Sequence, residues 1–425
     1  MSDLQSALDL LLGQSEVSMA VLFWYTLIFE VPRYGAAFVA LALAEVFQRK
    51  DLSDGPPSRV DGSRVTVMVV GHNEADSIER CVRSLREQSV KGIEIVVVSD
   101  GSTDAMTSVV ARLVKQGVVD RAMRTDLRGG KSAGMNLALF AATREFIVNV
   151  DCDTTFDRFA LERICAPFED PQIGAASGDI LVGNANQSLT ARLQSIEYLF
   201  TISVGKRIND ALGIVSCVSG AFGAFRAKAL RQVGGVDVGG GEDLDLTLRL
   251  RAAGWRIAFV GDAISYTHVP ASLYGLVQQR MRWDRDAIRL RYRKHRGSIA
   301  PFSDRFVVLE AIHQFEYLFF SVLGTLIFPV YLLWLFALYG SFAVVVLIAA
   351  QIALSCLDAV MLLLAALITK RPVFFQDLPY MPGFSIMNAY VMRVVRLSAY
   401  WQEWLRFGSV NDNYVPHKVR ILRRW

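Results

Sequence analysis

The chain has 425 residues, 52% of them hydrophobic and 20% charged, with a formal net charge of +4. That is too long for one ordinary core and long enough for a catalytic domain of about 250 residues plus a membrane part. Five cysteines, odd in number and without metal-ligand spacing, imply neither a disulfide framework nor a cysteine metal centre, and the small net charge gives no general pull toward nucleic acid.

The N-terminal flank is apolar over residues 17–29, too short alone to cross a bilayer. Glu30, Pro32 and Arg33 interrupt it before residues 34–43. Together the stretch can span once, with Glu30 and Arg33 one helical turn apart and able to pair. No basic n-region or A-x-A site marks a cleaved leader, so residues 1–50 are expected to form a membrane anchor. Residues 51–62, with Gly55, Pro56 and Pro57, read as a linker.

From there the chain reads as an α/β domain over residues 63–272. Apolar strands are predicted at 65–70, 93–99 and 146–150, and helices at 76–88, 104–115 and 132–143. Such alternation predicts a parallel sheet with helices on both faces. Ligands of such sheets sit beyond the carboxyl ends of the strands, which directs attention to residues 71–74, 100–102 and 151–153.

Two of those ends carry carboxylates: Asp100 in Ser99-Asp100-Gly101-Ser102, and the Asp151-Cys152-Asp153 motif. A hard divalent cation bound with a diphosphate needs only one or two protein carboxylates. The bland alternative for Asp100 is turn chemistry. Gly130-Lys131-Ser132 ends like a phosphate-binding P-loop, but Thr125 stands where its first glycine belongs, so that pattern fails. Gly239-Gly240-Gly241-Glu242-Asp243 leads into a helix predicted over 244–253. There Asp243 reads either as its N-cap or as a general base, and the two are compatible.

Gln279-Arg280-Met281-Arg282-Trp283 follows. Arg282 could grip a diphosphate and Trp283 offers a flat face to a pyranose ring; an amphipathic interfacial helix is the alternative. Eight Lys/Arg residues lie between Arg280 and Arg296. Beside a membrane span they suit lipid headgroups or a diphosphate better than nucleic acid, and they predict a cytosolic catalytic domain. Residues 273–313 are expected to be interfacial helices.

Residues 315–338 carry only Glu316 and residues 342–368 only Asp358, each run exceeding the roughly 20 apolar residues that cross a bilayer. They are expected to form a hairpin through Tyr339-Gly340-Ser341 within a transmembrane or channel region, 314–425. Residues 387–407, with Arg393, Arg396, Glu403 and Arg406, are expected to lie along the interface or line the channel.

The ordered set Asp100, Asp151-x-Asp153, Glu242-Asp243 and Gln279-x-x-Arg282-Trp283 resembles the processive family-2 glycosyltransferases: the cellulose, chitin, hyaluronan, poly-N-acetylglucosamine and rhizobial chitooligosaccharide synthases. The resemblance covers residues 65–285. It implies a GT-A-type, Rossmann-like mixed α/β sheet and inverting transfer from a UDP-sugar, UDP-GlcNAc or UDP-Glc, with Mg2+ or Mn2+ as cofactor. Carried over, Asn73, Glu74 and Asp100 hold the nucleobase and ribose, Lys131 the donor, and Asp151 and Asp153 the donor and metal. Glu242 and Asp243 are the catalytic pair, with Asp243 the base. Cys217, Ser219 and Gly220 fall in the acceptor-binding segment, and Gln279, Arg282 and Trp283 meet the diphosphate and acceptor sugar. The expected partners are a growing glycan or lipid acceptor, membrane lipids and accessory export subunits, at a bacterial inner membrane. Ser216-Cys217-Val218-Ser219-Gly220 and Asp284-Arg285-Asp286 depart from the cellulose-synthase pattern and favour the smaller members. A non-processive, ceramide-type lipid glycosyltransferase shares much of the motif set and is the rival.

Overall fold

The computed structural model describes residues 13–32, 41, 60–237, 239–303, 306–410, 412 and 416–418. It divides into two compact units, Asp51–Val307 with Ala399–Trp425, and Met1–Lys50 with Val308–Ser398.

The strands of the larger unit are β1 (Val65–Gly71), β2 (Glu94–Asp100), β3 (Arg121–Thr125), β4 (Phe146–Asp151), β5 (Thr155–Phe156), β6 (Ile173–Val182), β7 (Phe222–Arg226) and β8 (Arg256–Thr267). They form one eight-stranded sheet in the order β3-β2-β1-β4-β7-β6-β8-β5. Every residue of β1 is buried, because the sheet is covered on both faces. Val65, Val67 and Val69 pack with Ile78, Cys81, Val82 and Leu85, the apolar stripe of helix Ile78–Arg86. Met68 and Val70 point the other way, toward Met135, Ala138 and Leu139 of helix Lys131–Ala141 and Leu246 and Leu250 of helix Glu242–Ala252. Each such side chain contributes roughly 1.5–3 kcal/mol on burial. Both-face burial is therefore why β1 reads as a nearly continuous apolar run, broken only by Thr66 before Gly71.

The predicted parallel sheet is half of the answer. β3, β2, β1 and β4 are parallel, but β7 runs antiparallel between β4 and β6. The reason lies in the segment before β7. It crosses the carboxyl end of β4, where Phe222 pairs with Val150, so the chain can only re-enter the sheet in the opposite sense. The result is the mixed sheet that the family resemblance implies. At β1's end, a Cβ on Gly71 would lie 2.4 Å from Cys152 Sγ; glycine there lets the Asp151-Cys152-Asp153 turn close against β1.

In the smaller unit, Val308–Tyr339 (32 residues) and Phe342–Thr369 (28 residues) are each long and apolar enough to cross a membrane. Gly340, at φ 54°, makes the turn between them. The first helix starts earlier than predicted and contains a π turn, Tyr317–Leu323, and Pro329. Tyr25 donates to Gly324 O at 2.8 Å and Tyr331 donates to Leu22 O at 2.7 Å. Those two hydroxyls fasten the short helix Glu16–Leu22 and the turn after it to the first long helix. Glu30 pairs with Arg393, whose guanidinium lies 4.3 Å from the Phe328 ring centroid. Arg33, the partner expected for Glu30, lies outside the described residues, as do most of the anchor beyond Pro32 and linker residues 51–59.

Candidate functional site

Two chambers open at the carboxyl ends of β1, β2 and β4, with volumes of about 270 and 410 Å³. The smaller is lined by His72, Glu74, Asp100 and Arg128; the larger by Cys217, Ser219, Gly220, Glu242, Asp243 and Trp283, among others. Lys131, Asp151, Asp153, Gln279 and Arg282 line both. One wall therefore separates a strand-end chamber from a helix-walled one.

In the smaller chamber the carboxylates are already engaged. Asp100 accepts from Gly129 N (2.7 Å), Gly130 N (2.6 Å) and the Thr125 hydroxyl (3.1 Å). It thus pins the loop that opens helix Lys131–Ala141, where Gly130 takes φ 88°. Asn73 lies farther out than expected. Its Oδ1 accepts from Thr103 N at 2.8 Å and Asp104 N at 3.3 Å, fastening the turn after β1 to the turn after β2, and it lines neither chamber. Its amide oxygen is therefore taken, and a role toward a nucleobase would fall to other atoms. Glu74 accepts from the Ser77 hydroxyl at 2.6 Å. Burial pushes its carboxyl up, the Ser77 bond opposes this, and the neighbouring Asp153 charge adds to it.

In the shared wall, Lys131 Nζ reaches Asp151 Oδ1 at 2.7 Å and Glu242 Oε1 at 3.1 Å. Burial pushes Asp151 up to about 6, with Lys131 pulling the other way. Asp153 Oδ1 accepts from the hydroxyls of Thr154 (3.2 Å) and Thr267 (3.3 Å). Among the described residues no group of three or more His, Cys, Asp or Glu side chains is placed to hold a metal ion, and the shared wall offers the two carboxylates Asp151 and Asp153. Two hard oxygen ligands suit a divalent cation whose remaining ligands are diphosphate oxygens and water.

The larger chamber is walled by the first turn of helix Glu242–Ala252. Its N-cap is Gly241, in the left-handed region at φ 66°, not Asp243. The glycine loop is held from behind: Arg289 donates to Gly240 O at 2.6 Å and to Asp286 at 2.9 Å, and a Cβ on Gly240 would lie 2.3 Å from the Asp286 carboxylate. Asp243 consequently sits inside the first turn, accepting from Leu244 N at 2.8 Å. Burial and then the Glu242 charge push its carboxyl up, with Lys131 opposing. Gly220 lies across from it: a Cβ there would meet Lys131 Nζ at 2.9 Å, Glu242 Oε1 at 3.5 Å and Asp243 Oδ2 at 3.6 Å. Glycine at 220 leaves that space open between lysine and carboxylates. Asn149 Nδ2 holds Gly220 O at 2.7 Å, and Val218 N donates to Thr247 Oγ1 at 2.8 Å. Burial pushes the Cys217 thiol up as well.

Gln279, Arg282 and Trp283 come from helix Leu273–Arg289, three and four residues apart and so on one face. Arg280 lies beneath, 4.3 Å from the Trp283 ring centroid and paired with Glu197 at 2.7 Å. The basic run is not a bare strip for lipid. Arg285 pairs with Asp412, Arg289 with Asp286, Arg293 with Glu403, and Lys294 with Asp237 and Asp245. Sequence reasoning assigned no role to His72, Arg128, Lys206 or Asp286. His72 falls inside the 71–74 stretch that topology had marked and Asp286 in the Asp284-Arg285-Asp286 departure, while Arg128 and Lys206 carry no local motif.

The family model described as "Glycosyltransferase like family 2" matches residues 63–285. A poly-β-1,6-N-acetyl-D-glucosamine synthase of Staphylococcus aureus is 29% identical over 240 residues, which are 55% of this chain and 57% of that protein. An N-acetylglucosaminyltransferase of Bradyrhizobium diazoefficiens is 30% identical over 264 residues, 59% of this chain and 54% of that one. The chain thus spans somewhat over half the length of these relatives. In fold it is similar to a mannosyltransferase from Pyrobaculum calidifontis solved with GDP-mannose and Mn2+, at TM-score 0.58 and 22% identity over 91% of this chain and 99% of that one.

Proposed function

The chain belongs to the family of glycosyltransferase-like family 2 enzymes, and on that premise we propose that it extends a β-linked saccharide from a UDP-sugar, UDP-GlcNAc before UDP-Glc. The observation that carries this reading is the wall shared by the two chambers. A donor in the smaller chamber would place its diphosphate and anomeric carbon at Asp153 and Arg282, where an acceptor hydroxyl from the larger chamber can meet it.

Asp243 takes the proton from that hydroxyl as its oxygen bonds to the anomeric carbon and the bond from that carbon to the diphosphate breaks. The diphosphate leaves with the electron pair, and the configuration inverts. Arg282 offers charge-assisted hydrogen bonds to the leaving oxygens, and Trp283, 42% exposed, offers its face to the acceptor ring. Lys131 keeps Asp151 and Glu242 in place from one nitrogen. Asp153 and Asp151 would hold Mg2+ or Mn2+, which supplies Lewis-acid stabilisation of the diphosphate when bound. The relatives' names support N-acetylglucosamine as the sugar. The two long apolar helices support an integral membrane protein. The basic run supports a catalytic unit on the cytosolic side of a bacterial inner membrane, coupled to export.

UDP release across a panel of nucleotide sugars, with product sizing, tests the reading. The expected result is UDP release with UDP-GlcNAc and a ladder of oligomers, abolished by Asp153→Ala even at high Mn2+. Undiminished turnover in excess EDTA removes the metal, and a single sugar added to a lipid makes the ceramide-type reading the correct one.

A further inference from the structure

Lys206 lies on helix Gly205–Ala211 and is only 6% exposed. It carries an amine into the floor of the larger chamber. An ammonium there is costly to bury, and an apolar side chain of the same length would be cheaper. Its nitrogen donates to Ser177 Oγ at 3.0 Å and to Ser219 Oγ. Burial pulls the amine down, while Asp243 and Asp179 hold it up.

Hydrogen-bond accounting around those two serines is one-sided. An ammonium has three donors and no acceptor, so both hydroxyl oxygens must accept from it. Ser177 passes its own proton to Gly178 O at 3.4 Å and also accepts from Ser219 N at 3.3 Å. Ser219 Oγ accepts from Lys206 and has no acceptor for its own proton among the described residues. Ser219 lines the chamber, one residue from the glycine that faces Asp243. A hydroxyl that is forced to accept on its buried side must donate on its open side.

We propose that Lys206 is a positioning residue that fixes the Ser219 hydroxyl as a hydrogen-bond donor aimed into the larger chamber, where it binds an oxygen lone pair of the acceptor sugar. This deepens the glycosyltransferase reading and rests on it for the identity of the larger chamber's occupant. Without the ammonium, Ser219 can turn its proton back toward Ser177, and the acceptor loses its donor.

The test uses the full-length chain, wild type, Lys206→Met, Ser219→Ala and the double variant, with a β-linked N-acetylglucosamine trisaccharide as acceptor probe. Calorimetry gives trisaccharide and UDP-GlcNAc affinity, and UDP release gives the acceptor KM. Each single variant should weaken the trisaccharide about tenfold, as expected for loss of one hydrogen bond of this type. The double variant should lose the same tenfold and not a hundredfold, since both act through one hydroxyl. UDP-GlcNAc affinity should stay within about twofold. Multiplicative losses, an unchanged trisaccharide affinity in Lys206→Met, or an equal loss of UDP-GlcNAc would overturn the proposal. Should Lys206→Met not fold, Lys206→Gln replaces it: an amide can accept the Ser219 proton, so the same tenfold loss is expected, and wild-type affinity in this variant refutes the proposal. A wild type that binds the trisaccharide yet releases no UDP from any donor defeats the reaction assigned above and leaves the affinity cycle to decide Lys206. A wild type that does not bind the trisaccharide defeats the Lys206 proposal.

Discussion

Asp243 and Asp245 stand two residues apart on one helix and live in opposite electrostatic worlds. Asp243 faces the larger chamber, where burial and Glu242 push its carboxyl up. Asp245 faces away from it. Burial would push it up too, but His295 (2.8 Å), Lys294 (2.7 Å) and Arg249 (2.8 Å) overcome this and hold it well below the ordinary range. The contrast separates two uses of a carboxylate. The same burial raises the proton affinity of a group left short of partners and is outweighed where a histidine hydrogen bond and two cations converge. The first arrangement suits a base that must take up a proton; the second suits a bolt.

Asp243→Asn should sharpen that contrast most. Asparagine keeps the side chain's size and its acceptor for Leu244 N, and the N-cap at Gly241 is untouched, but it cannot take a proton. Turnover should fall by about 10²–10⁴-fold, with UDP-sugar affinity within about twofold. Because the folded state disfavours this carboxylate's charge, the melting temperature should hold or rise. Calorimetry, UDP release and a melt on the same preparation check all three, and near-normal turnover would remove Asp243 from the chemistry.

Asp245→Asn should do the reverse. Leaving Arg249 and His295 partly buried without that carboxylate, and Lys294 with Asp237 alone, should cost about 1–3 kcal/mol of stability, while molecules that remain folded keep kcat within a fewfold. Denaturant melts paired with turnover per folded molecule decide it; a lost kcat in fully folded protein would merge the two roles.

The pH dependence of stability distinguishes the pair in sign. Asp245's folded pKa lies below its unfolded value near 3.8, so its contribution is full above about pH 4 and is lost as pH falls through the folded value. Asp243 has the opposite slope: its raised folded pKa makes stability decline as pH rises from about 4 toward that value. Wild type should therefore lose stability below about pH 4 more steeply than Asp245→Asn, as melts across pH 3–7 would show.

The smallest effect is expected at Trp283. Removing its face with Trp283→Ala should weaken acceptor binding by roughly 1 kcal/mol, about fivefold, and leave UDP-sugar affinity unchanged. An equal loss of both would make the ring part of the shared wall and not of the acceptor side.

What the sequence disclosed follows from burial pattern. β1, β2 and β4 were legible because both faces are covered and their residues are mostly Val, Ile, Met and Phe, with Val96-Val97-Val98 the longest unbroken stretch. β3, Arg121–Thr125, was hidden since every one of its residues is exposed or partly so. β6 was hidden because Gly174, Gly178 and Asp179 break any period. Asp151, Asp153, Asp243 and Arg282 were legible because spacing and order carry them into one site. Asn73's engagement with Thr103 and Asp104 was not, since a side chain bonded to a turn looks in sequence like one facing a ligand. The contacts of Lys206 and Asp286 were invisible for another reason: they act from elements remote in sequence, and only the folded chain brings them under Ser219 and Gly240.

The wall common to the two chambers also limits how such a protein can diverge. A substitution at Lys131, Asp151, Asp153, Gln279 or Arg282 alters both pockets at once, so a mutation there that favours a new acceptor disturbs the leaving group in the same step. Heritable change in sugar preference has freer passage at Ser216, Cys217 and Ser219, which line the larger chamber alone. Lineages built on this plan should accordingly vary in that short loop while the partition stays fixed, and a library randomised at those three positions is the place to evolve a new product.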